Sequence, residues 1–404
     1  MLDENTVSFI EKYVKFAKPL TEGSRLFHFY MAYALLGLSV GKRAYYNGAG
    51  SFPISPSFWM IFVGPSSITK KSTSLNIGMR HILPSVFNET RFKYPSEGSH
   101  ESLIDFMEKV PQGMISHGEF ASLQSWLSRD YNYGLMGVLT DLYDQPPEYF
   151  RRVGTRDKAR EYHIKDPLIS ILSCTTIDWF SKNLTESQIM GGFLPRFIII
   201  EDTDDGSLVP ESPEPDEALR TDLVNELQFY RTMPAMRYQY EDSARQTYIR
   251  WYGSVHKEKI KHPRTSSMVR AFLSRRITDL HKFAMLHCVM RKDTRMNDDD
   301  LEQAIDIISN LFEYAENVIN DKLALNDFQA SRNKVLDNIV KQAGTNGGAP
   351  HSDILKRSKL KGRDFNEIIQ TLLEENTITR NEETAVSGRK KIFYQINRAP
   401  EEAS

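Results

Sequence analysis

The sequence predicts an α/β protein: a parallel sheet flanked by helices, followed by a helical region and a small C-terminal domain. Three observations lead to this fold class. Apolar runs rich in β-branched and aromatic residues alternate with segments of helical periodicity. A loop with one glycine and two lysines joins the first strong apolar run to a helix start. The last part of the chain reads as three helices and two strands.

A chain of 404 residues is long for one domain, so we expect several. The changes in pattern divide it into four parts. They are an N-terminal helical lead-in (1–50), an α/β core (51–205), a helical region that completes the core (206–329) and a C-terminal domain (330–398).

Composition excludes several classes of protein. The net charge of −2 means that any nucleic-acid surface must be local. The two cysteines, Cys174 and Cys288, form no C-x-x-C motif, which argues against a zinc site or disulfide framework and fits a reducing cytoplasm. The N-terminus lacks the features of a signal peptide, and the apolar run 26–40 is short for a bilayer span. We therefore expect a soluble, cytoplasmic protein with no membrane contact.

The elements follow in order along the chain. Helical spacing covers residues 6–40, with Pro19 and Gly23 between two helices. Strands are predicted at the four most apolar runs, namely 58–63, "GMISHGEF", 167–176 and 193–200. Because helical segments separate these strands, they should form a parallel sheet covered on both faces. The pattern from 217 to 329 is helical nearly throughout.

The loop after the first strand has the outline of a phosphate-binding loop, whose usual pattern is G-x-x-x-x-G-K-[ST]. Backbone N–H groups of such a loop converge on an anion, a lysine neutralises phosphate charge and a hydroxyl binds Mg²⁺. The candidate nucleotide-binding residues are Gly64, Pro65, Ser66, Ser67, Thr69, Lys70, Lys71, Ser72 and Thr73.

The second glycine of the pattern is missing, and two alignments compete. With the standard spacing, Lys70 is the phosphate lysine and Lys71 takes the hydroxyl position, which does not suit magnesium. With a loop one residue longer, Lys71 contacts phosphate and Ser72 binds Mg²⁺. The second alignment keeps a Lys-Ser pair at the helix start and asks Lys70 to adopt the positive φ of a glycine, at a cost of roughly 1 kcal/mol.

Two further strand ends carry polar residues. In "MISHGEFASL", Glu119 stands where a P-loop ATPase has its catalytic carboxylate, which we also expect to contact the metal, but Gly118 replaces the preceding Asp. In "LISILSCTT", Thr175 or Thr176 could sense a γ-phosphate. A lone Glu, Ser or Thr at a strand end is also common without any such role.

Arginines and lysines supply the remaining candidates. The rigid turn "GGFLPRF" should aim Arg196 outward, towards a neighbouring subunit's nucleotide, although a surface ion pair is the simpler interpretation. A basic span between the second and third motifs could form a hairpin that tracks a DNA backbone, or could be only a solvated face. Its residues are Arg151, Arg152, Arg156, Lys158 and Arg160, with Tyr149, Phe150 or Tyr162 available for stacking on bases.

The C-terminal domain has the element order of a winged helix-turn-helix. Residues 332–398 carry a local charge of about +5, which favours a nucleic-acid surface, although winged helices also bind proteins. The candidate DNA contacts are Lys359, Lys361, Arg363, Arg389, Lys390 and Lys391, beside Lys356 and Arg357.

The order of these motifs resembles that of P-loop ATPases of phages, plasmids and integrated mobile elements, a group related to replicative helicases and primase-helicases. The motifs are "SPSFWMIFVGPSSITKKST", "GMISHGEFASL", "DPLISILSCTT", "GGFLPRF" and "RRITDLHKFAMLHCVM". The resemblance covers about residues 5–320, and the tail resembles the winged helix that follows the motor in archaeal and mobile-element replicative helicases.

The resemblance implies a RecA/AAA+-like P-loop NTPase core that uses ATP and Mg²⁺, a homo-oligomeric ring such as a hexamer, and translocation on DNA. It makes Lys71 and Ser72 the phosphate and Mg²⁺ contacts, Glu119 the catalytic carboxylate and Arg196 the arginine that acts on a neighbouring subunit. Arg275 or Arg276 becomes a second phosphate sensor. The departures at Lys70 and Gly118 bear on hydrolysis more than on binding.

The sequence thus predicts an ATP-dependent DNA motor, a helicase or helicase-like ATPase of a mobile element. We find no primase-type catalytic cluster in it, so priming would require a separate primase or initiator. The alternative is a non-hydrolysing DNA-binding initiator or regulator that keeps the P-loop fold. A defence-system ATPase has the same sequence features.

Overall fold

The computed structural model describes most of the chain. The described residues are 8–47, 52–66, 68–87, 92–95, 97–129, 132, 134–153, 159–177, 179–180, 191–203, 208–261, 265, 267–319, 324–343, 348–384 and 390–397. The chain divides into two units, Met1–Ile319 and Asn320–Ser404. The second unit begins before residue 330, where the sequence predicts the C-terminal domain to start.

Helices and strands alternate along the first unit. In chain order they are α1 (Phe9–Ala17), α2 (Arg25–Val40), β1 (Ala44–Tyr46), β2 (Trp59–Val63), α3 (Lys71–Ile77), α4 (Leu83–Val86), α5 (His100–Lys109), β3 (Gln112–His117), α6 (Phe120–Leu127), α7 (Leu135–Tyr143), β4 (Glu148–Val153), β5 (Arg160–Lys165), β6 (Leu168–Thr175), β7 (Ile198–Glu201), α8 (Glu217–Thr232), β8 (Met236–Tyr240), α9 (Asp242–Val255), α10 (Ser267–Met290), β9 (Arg295–Met296) and α11 (Asp298–Asn317).

A four-stranded parallel sheet forms the centre of this unit, in the order β3-β6-β2-β7. Every residue of β2 and β6 is buried. Continuous burial explains why both strands read as unbroken apolar runs, since a parallel sheet covered on both faces has no wet side. The carboxyl ends of β2, β3 and β6 lie at one edge of the sheet, and that edge positions the candidate site.

Local sequence signals begin several of the surrounding helices. Ser8 and Glu11 form a capping box at the start of α1, and Asn297 and Asp300 form another at the start of α11. Each pair satisfies N–H groups that a helix start leaves without partners. The same helices bury one apolar face, so cap and pattern agree on where each helix begins.

The described part of the first unit also contains two smaller sheets. The strands β1, β8 and β9 form a parallel sheet. The strands β4 and β5 pair antiparallel from Glu148 opposite Lys165 to Val153 opposite Arg160, so the basic span does form a hairpin.

Two predicted elements are shorter or more broken than the pattern suggested. The predicted strand 193–200 is extended only over Ile198–Glu201, because Pro195 lies in a 3₁₀ turn at Leu194–Arg196. Proline cannot donate to a strand ladder, which confines the strand to the residues after the turn. The helical region is interrupted by β8 and β9.

The second unit contains α12 (Ala324–Ala343), β10 (Ala349–Pro350), α13 (His351–Ser358), α14 (Gly362–Glu374), β11 (Ile378–Thr384) and β12 (Lys390–Ile396). The three strands form an antiparallel sheet in the order β10-β12-β11. Its core joins all three helices to the sheet, through residues that include Ile339, Ile354, Phe365, Leu372 and Tyr394. The three helices and the ribbon follow in the predicted order, with β10 as an additional short strand.

In the described part of the chain, none of the helices is long and apolar enough to cross a membrane.

Candidate nucleotide site

The loop after β2 is built around two special backbone positions. A Cβ atom on Gly64 would lie 2.6 Å from the carbonyl oxygen of Asp202 and 2.7 Å from Oγ1 of Thr69, so no side chain fits there. Lys70, the residue before α3, has φ +47° and ψ +36°. This is the left-handed conformation that glycine adopts at low cost, and it occurs where the usual loop pattern has its second glycine.

Lys71 lies inside the loop. Its side-chain ammonium donates to the carbonyl oxygens of Gly64 at 2.9 Å and Pro65 at 2.7 Å, and approaches Oγ1 of Thr69 at 3.5 Å. The residue is only 8% exposed, and burial lowers its pKa. No carboxylate among the described residues is bonded to it. The loop therefore encloses a cation whose charge is balanced only by neutral oxygens.

The two lysines differ in their surroundings. The side chain of Lys70 is 40% exposed, and its ammonium lies 3.8 Å from a carboxylate oxygen of Glu22. Lys71 is buried inside the loop, whereas Lys70 points to the rim with an acidic partner. Of the two, Lys71 is the one whose position favours contact with an enclosed anion.

The hydroxyl residues of the loop extend from it towards β3. Ser72 is exposed and its Oγ donates to the carbonyl oxygen of Gly118 at 3.2 Å, which joins the start of α3 to the end of β3. Thr69 donates to Pro65 at 3.2 Å and closes the loop. Ser66 and Thr73 lie on the same cavity, whereas Ser67 falls outside the described residues.

Glu119 follows β3 and immediately precedes α6. Its side chain is exposed and makes no capping hydrogen bond to the helix, so the carboxylate does not serve as a helix cap. Gly118 beside it has open space where a Cβ would be, with no atom within 4 Å. The chain thus has one carboxylate at this strand end, and space for a second.

Residues at the end of β6 complete the site, beside the loop and the end of β3. Thr175 is buried, its backbone carbonyl accepts from the N–H of Gly64 at 3.3 Å, and its Oγ1 donates to the carbonyl of Thr176 at 3.4 Å. The hydroxyl of Thr176 accepts from the N–H of Trp179 at 3.2 Å. Both threonines line the cavity that Lys71 and Glu119 line.

These residues enclose a cavity of about 310 Å³ at the carboxyl edge of the sheet. That volume is in the range of small-molecule sites. Among the described residues, there is no group of three or more His, Cys, Asp or Glu side chains that could hold a metal ion by itself. A magnesium ion here would depend on Ser72, Glu119 and the oxygens of a bound phosphate.

Sequence reasoning missed Cys174 as a cavity residue. Its thiol lies against Ser72 and Lys71, and burial raises its pKa to about 12, so it stays protonated. The signal that could have found it is its position directly before Thr175, at the end of the same buried strand. Trp179 and Phe120 also line the cavity and were not predicted.

Arg196 lies inward, contrary to the expectation that the turn aims it outward. It is 5% exposed, donates to the carbonyl of Gly192 at 2.6 Å, and lies 3.5 Å from a carboxylate oxygen of Asp144. Its guanidinium also lies over the ring of Tyr143 at 5.3 Å. The 3₁₀ turn folds the side chain back onto these partners, and it does not line the 310 Å³ cavity.

The two arginines of α10, Arg275 and Arg276, differ in exposure and in their partners. Arg275 is 38% exposed and lies 3.7 Å from the same Asp144 carboxylate as Arg196. Arg276 is 2% exposed, lies 3.2 Å from Asp279 and donates to the carbonyl of Pro195 at 2.8 Å. Arg276 is therefore a buried structural cation, while Arg275 remains accessible.

The basic hairpin exposes only part of its predicted surface. Phe150 is 66% exposed and stacks on His163 with ring centres 4.1 Å apart, and Arg152 is also exposed. Tyr162 is buried, and Arg160 binds Asp105 at 2.6 Å and Glu108 at 3.0 Å.

The other hairpin candidates are distributed differently. Arg151 donates to the hydroxyl of Tyr149 at 3.3 Å and is half-buried. Arg156 and Lys158 lie outside the described residues.

In the second unit, Lys359, Lys361, Arg363 and Lys391 are exposed. Lys359 has φ +57° and ends α13, and Lys361 precedes α14, so these cations surround the turn between the two helices. Arg389 lies outside the described residues, and only the backbone of Lys390 is described.

Comparison with known proteins adds little. No family model matches the chain, and no curated protein matches it. Among solved structures, the chain is similar to a full-length MCM homolog from Methanopyrus kandleri, with 13% sequence identity and a TM-score of 0.44. The match covers 76% of this chain and 59% of that one. A similarity at this level carries no argument about function.

Proposed function

We propose that the protein is an ATP-dependent DNA motor, a helicase or helicase-like ATPase that acts in the replication of a phage, plasmid or integrated mobile element. The observation that carries the proposal is Lys71, a buried ammonium inside a strand–loop–helix turn, bonded to neutral oxygens and facing a cavity. A phosphate group would supply the missing negative charge, and a nucleotide is the phosphate ligand that this arrangement suits.

The surrounding side chains fit the parts of a phosphoryl-transfer site. Lys71 would exchange its bonds to Gly64 and Pro65 for phosphate oxygens. Ser72 and Glu119 would hold Mg²⁺, which when bound neutralises charge on the phosphates. Glu119 would orient the attacking water, and Thr175 or Thr176 would contact the terminal phosphate. Lys70 contributes the left-handed backbone that lets the loop close.

The arginines suggest how a neighbouring copy would complete the site. Arg196 and Arg275 share the one carboxylate of Asp144 at 3.5 Å and 3.7 Å, distances longer than a close ion pair. A nucleotide of an adjacent subunit would compete with Asp144 for the accessible Arg275, whereas Arg196 would first have to leave its buried bond to Gly192. Arg275 is the more accessible of the two, so we propose it as a trans-acting arginine beside Arg196 in a ring-shaped homo-oligomer.

DNA contacts would come from both units. The exposed Phe150 and Arg152 of the hairpin suit stacking on a base and contact with a phosphate. We interpret the second unit as a winged helix-turn-helix, in which Lys359, Lys361 and Arg363 precede or begin the second helix of the pair. The protein would act in the cytoplasm, with a separate primase or initiator as a further partner.

Gly118 favours a second candidate function. Without the usual Asp beside Glu119, the site has one carboxylate to hold a metal and orient water. A protein that binds nucleotide and does not turn it over would then serve as a DNA-binding initiator or regulator.

The test is ATP hydrolysis by the full chain with and without single-stranded DNA. We expect DNA-stimulated turnover in the wild type, loss of nucleotide binding in Lys71→Ala, and binding without turnover in Glu119→Gln. A control variant is Glu22→Gln, which removes the partner of Lys70 and should leave turnover unchanged. Nucleotide binding without any turnover in the wild type would support the initiator, and absence of nucleotide binding would overturn both.

A further inference from the structure

A second cavity lies at the opposite edge of the central sheet. It has a volume of about 480 Å³ and is lined by residues that include Lys42, Arg43, Tyr45, Gln112, Pro147 and Met233. Gln112 is the first residue of β3, so the cavity is at the amino edge, whereas the nucleotide site is at the carboxyl edge. We call it the amino-edge cavity.

Arg43 is the residue of this cavity that most favours binding of a ligand. Within the described residues, its guanidinium has no hydrogen-bond acceptor and no carboxylate partner, although the side chain is half-buried. The nearby Arg231 is a further cation, and the charge of Arg43 adds to burial in lowering the pKa of Arg231. Two neighbouring cations, one of them without a partner in the described part of the chain, form a position that a bound anion would stabilise.

The remaining polar groups of the cavity are mostly donors. Lys42 reaches the carbonyl of Pro146 at 3.1 Å and the carboxylate of Asp166 at 3.5 Å. The carbonyl of the Gln112 side chain accepts from the N–H of Lys42 at 3.2 Å, which leaves its amide N–H groups for a ligand. The hydroxyl of Tyr45 is a further donor. Lys42, Arg43 and Asp166 together give the cavity a net charge of +1.

The backbone around the cavity is unusually constrained. Gln145 has φ +55° and Asp166 has φ +51°, a left-handed backbone that is costly for residues other than glycine. The buried side chain of Gln145 holds Ser55 by hydrogen bonds of 2.7 Å and 2.9 Å to its backbone, and the N–H of Asp166 donates to Pro147 at 2.8 Å. Such strain collects at binding sites, where it pre-forms the walls.

We propose that the amino-edge cavity binds a small phosphate ester, with its phosphate on Arg43 and Lys42 and its apolar body against Tyr45, Pro147 and Met233. A phosphate fits better than a carboxylate because it offers three oxygens to the fork of Arg43, the ammonium of Lys42 and the amide of Gln112. The volume of about 480 Å³ and the apolar walls suit a small molecule. The proposal does not rest on nucleotide binding at Lys71.

The test is calorimetric titration of the full chain with inorganic phosphate and with a nucleoside monophosphate, in the absence of magnesium. We expect Arg43→Gln to weaken binding at this site at least about tenfold, as expected for loss of a charge-assisted hydrogen bond. Lys71→Ala should leave this binding in place. The matched control is Arg237→Gln, which removes a cation from β8, opposite Tyr45 in the sheet but outside the cavity.

Ala235→Trp gives an independent check, because Ala235 is exposed at the cavity and a larger side chain would fill it without changing charge. We expect it to weaken binding as Arg43→Gln does. The proposal is overturned by unchanged binding in both variants, by loss of all binding in Lys71→Ala, or by no binding of either probe to the wild type. Binding of a 5′-phosphorylated oligonucleotide alone would also overturn it, since the site would then be a DNA contact.

Discussion

At the scale of single residues, the candidate nucleotide site depends on two adjacent lysines in different conformations. The left-handed backbone belongs to Lys70 and the buried ammonium to Lys71. The positive φ of Lys70 could be predicted, because in the longer alignment Lys70 replaces the missing glycine. The burial of the Lys71 ammonium could not, because it depends on how the loop folds around it. The inward direction of Arg196 could not be predicted, since it depends on Tyr143 and Asp144, which are distant in sequence.

Substitution of each lysine in turn distinguishes the two possible alignments of the loop. We expect Lys70→Gly to keep nucleotide binding and to raise the free energy of unfolding by about 1 kcal/mol, because glycine relieves the left-handed backbone. Lys71→Ala should lower nucleotide affinity more than tenfold while the fold persists. Calorimetric titration with an ATP analogue and urea unfolding check both. Loss of binding in Lys70→Gly with retention in Lys71→Ala would favour the standard spacing instead.

Gly118 offers a gain-of-function variant. Its φ is not in the left-handed region and open space surrounds its Cβ position, so aspartate fits without strain. In Gly118→Asp, a second carboxylate would lie beside Glu119 and within reach of a metal held by Ser72. We expect Gly118→Asp to bind magnesium more tightly and to turn over ATP faster than Gly118→Asn, which is the uncharged control. Equal turnover in both variants would show that the missing carboxylate does not limit the site.

At the scale of elements, the sequence predicts strands and helices well where burial is complete. The apolar runs of β2 and β6 are short and rich in β-branched or aromatic residues, and they are buried along their whole length as the pattern predicts. The strand β7 was predicted too long because its apolar residues continue into a turn around Pro195, and hydrophobicity alone does not distinguish the two. The hairpin β4–β5 formed as expected, but the availability of its cations depends on α5, which supplies Asp105 and Glu108.

The hairpin surface gives a prediction that distinguishes exposed residues from engaged ones. Phe150→Ala should weaken single-stranded DNA binding by about tenfold, in line with 1–3 kcal/mol for loss of one stacked base. Arg152→Ala should weaken it and reduce its salt dependence. The control is Arg160→Ala, whose guanidinium is already held by two carboxylates, so little change in affinity is expected. Fluorescence anisotropy at two salt concentrations measures all three. An equal loss in Arg160→Ala would indicate a general charge effect.

At the scale of the whole molecule, buried histidines connect stability to pH. His281 donates to or accepts from the hydroxyl of Tyr240 at 2.9 Å, and His287 makes the same contact with Tyr33 at 3.0 Å. Burial lowers the pKa of each to about 4, and burial together with the charge of Lys18 lowers the pKa of His28 to about 3. The folded protein therefore keeps all three neutral in mildly acidic solution.

Acid should destabilise the first unit for this reason. Between pH 6.5 and 4 the unfolded chain binds protons that the folded chain does not, so the free energy of unfolding falls as pH falls, by up to about 1.4 kcal/mol per pH unit for each histidine. Urea unfolding at several pH values measures the slope. In His281→Phe the protein should be less stable at neutral pH but lose stability less steeply. An unchanged slope would show that His281 titrates normally in the folded state.

Changes in pattern along the chain predicted four parts, whereas the structure divides the chain into two units, Met1–Ile319 and Asn320–Ser404. Periodicity and turn residues predicted most of the elements but missed the short strands β1, β8, β9 and β10. The cavities could not be predicted, because they form between segments far apart in sequence. The amino-edge cavity joins residues from 42 to 235, and no local pattern points to it. If both proposals hold, the central sheet binds a nucleotide at its carboxyl edge and a small phosphate ester at its amino edge.

We propose above that the loop 64–73 binds nucleotide phosphates through Lys71. The most direct measurement is a crystal structure of the full chain with magnesium and a non-hydrolysable ATP analogue. We predict that Nζ of Lys71 leaves the carbonyls of Gly64 and Pro65 and lies about 3 Å from a phosphate oxygen, with Ser72 and Glu119 on the metal side. Phosphates bound to Lys70, with Lys71 still bonded to both carbonyls, would show that Lys71 is a structural lysine and that the standard spacing holds.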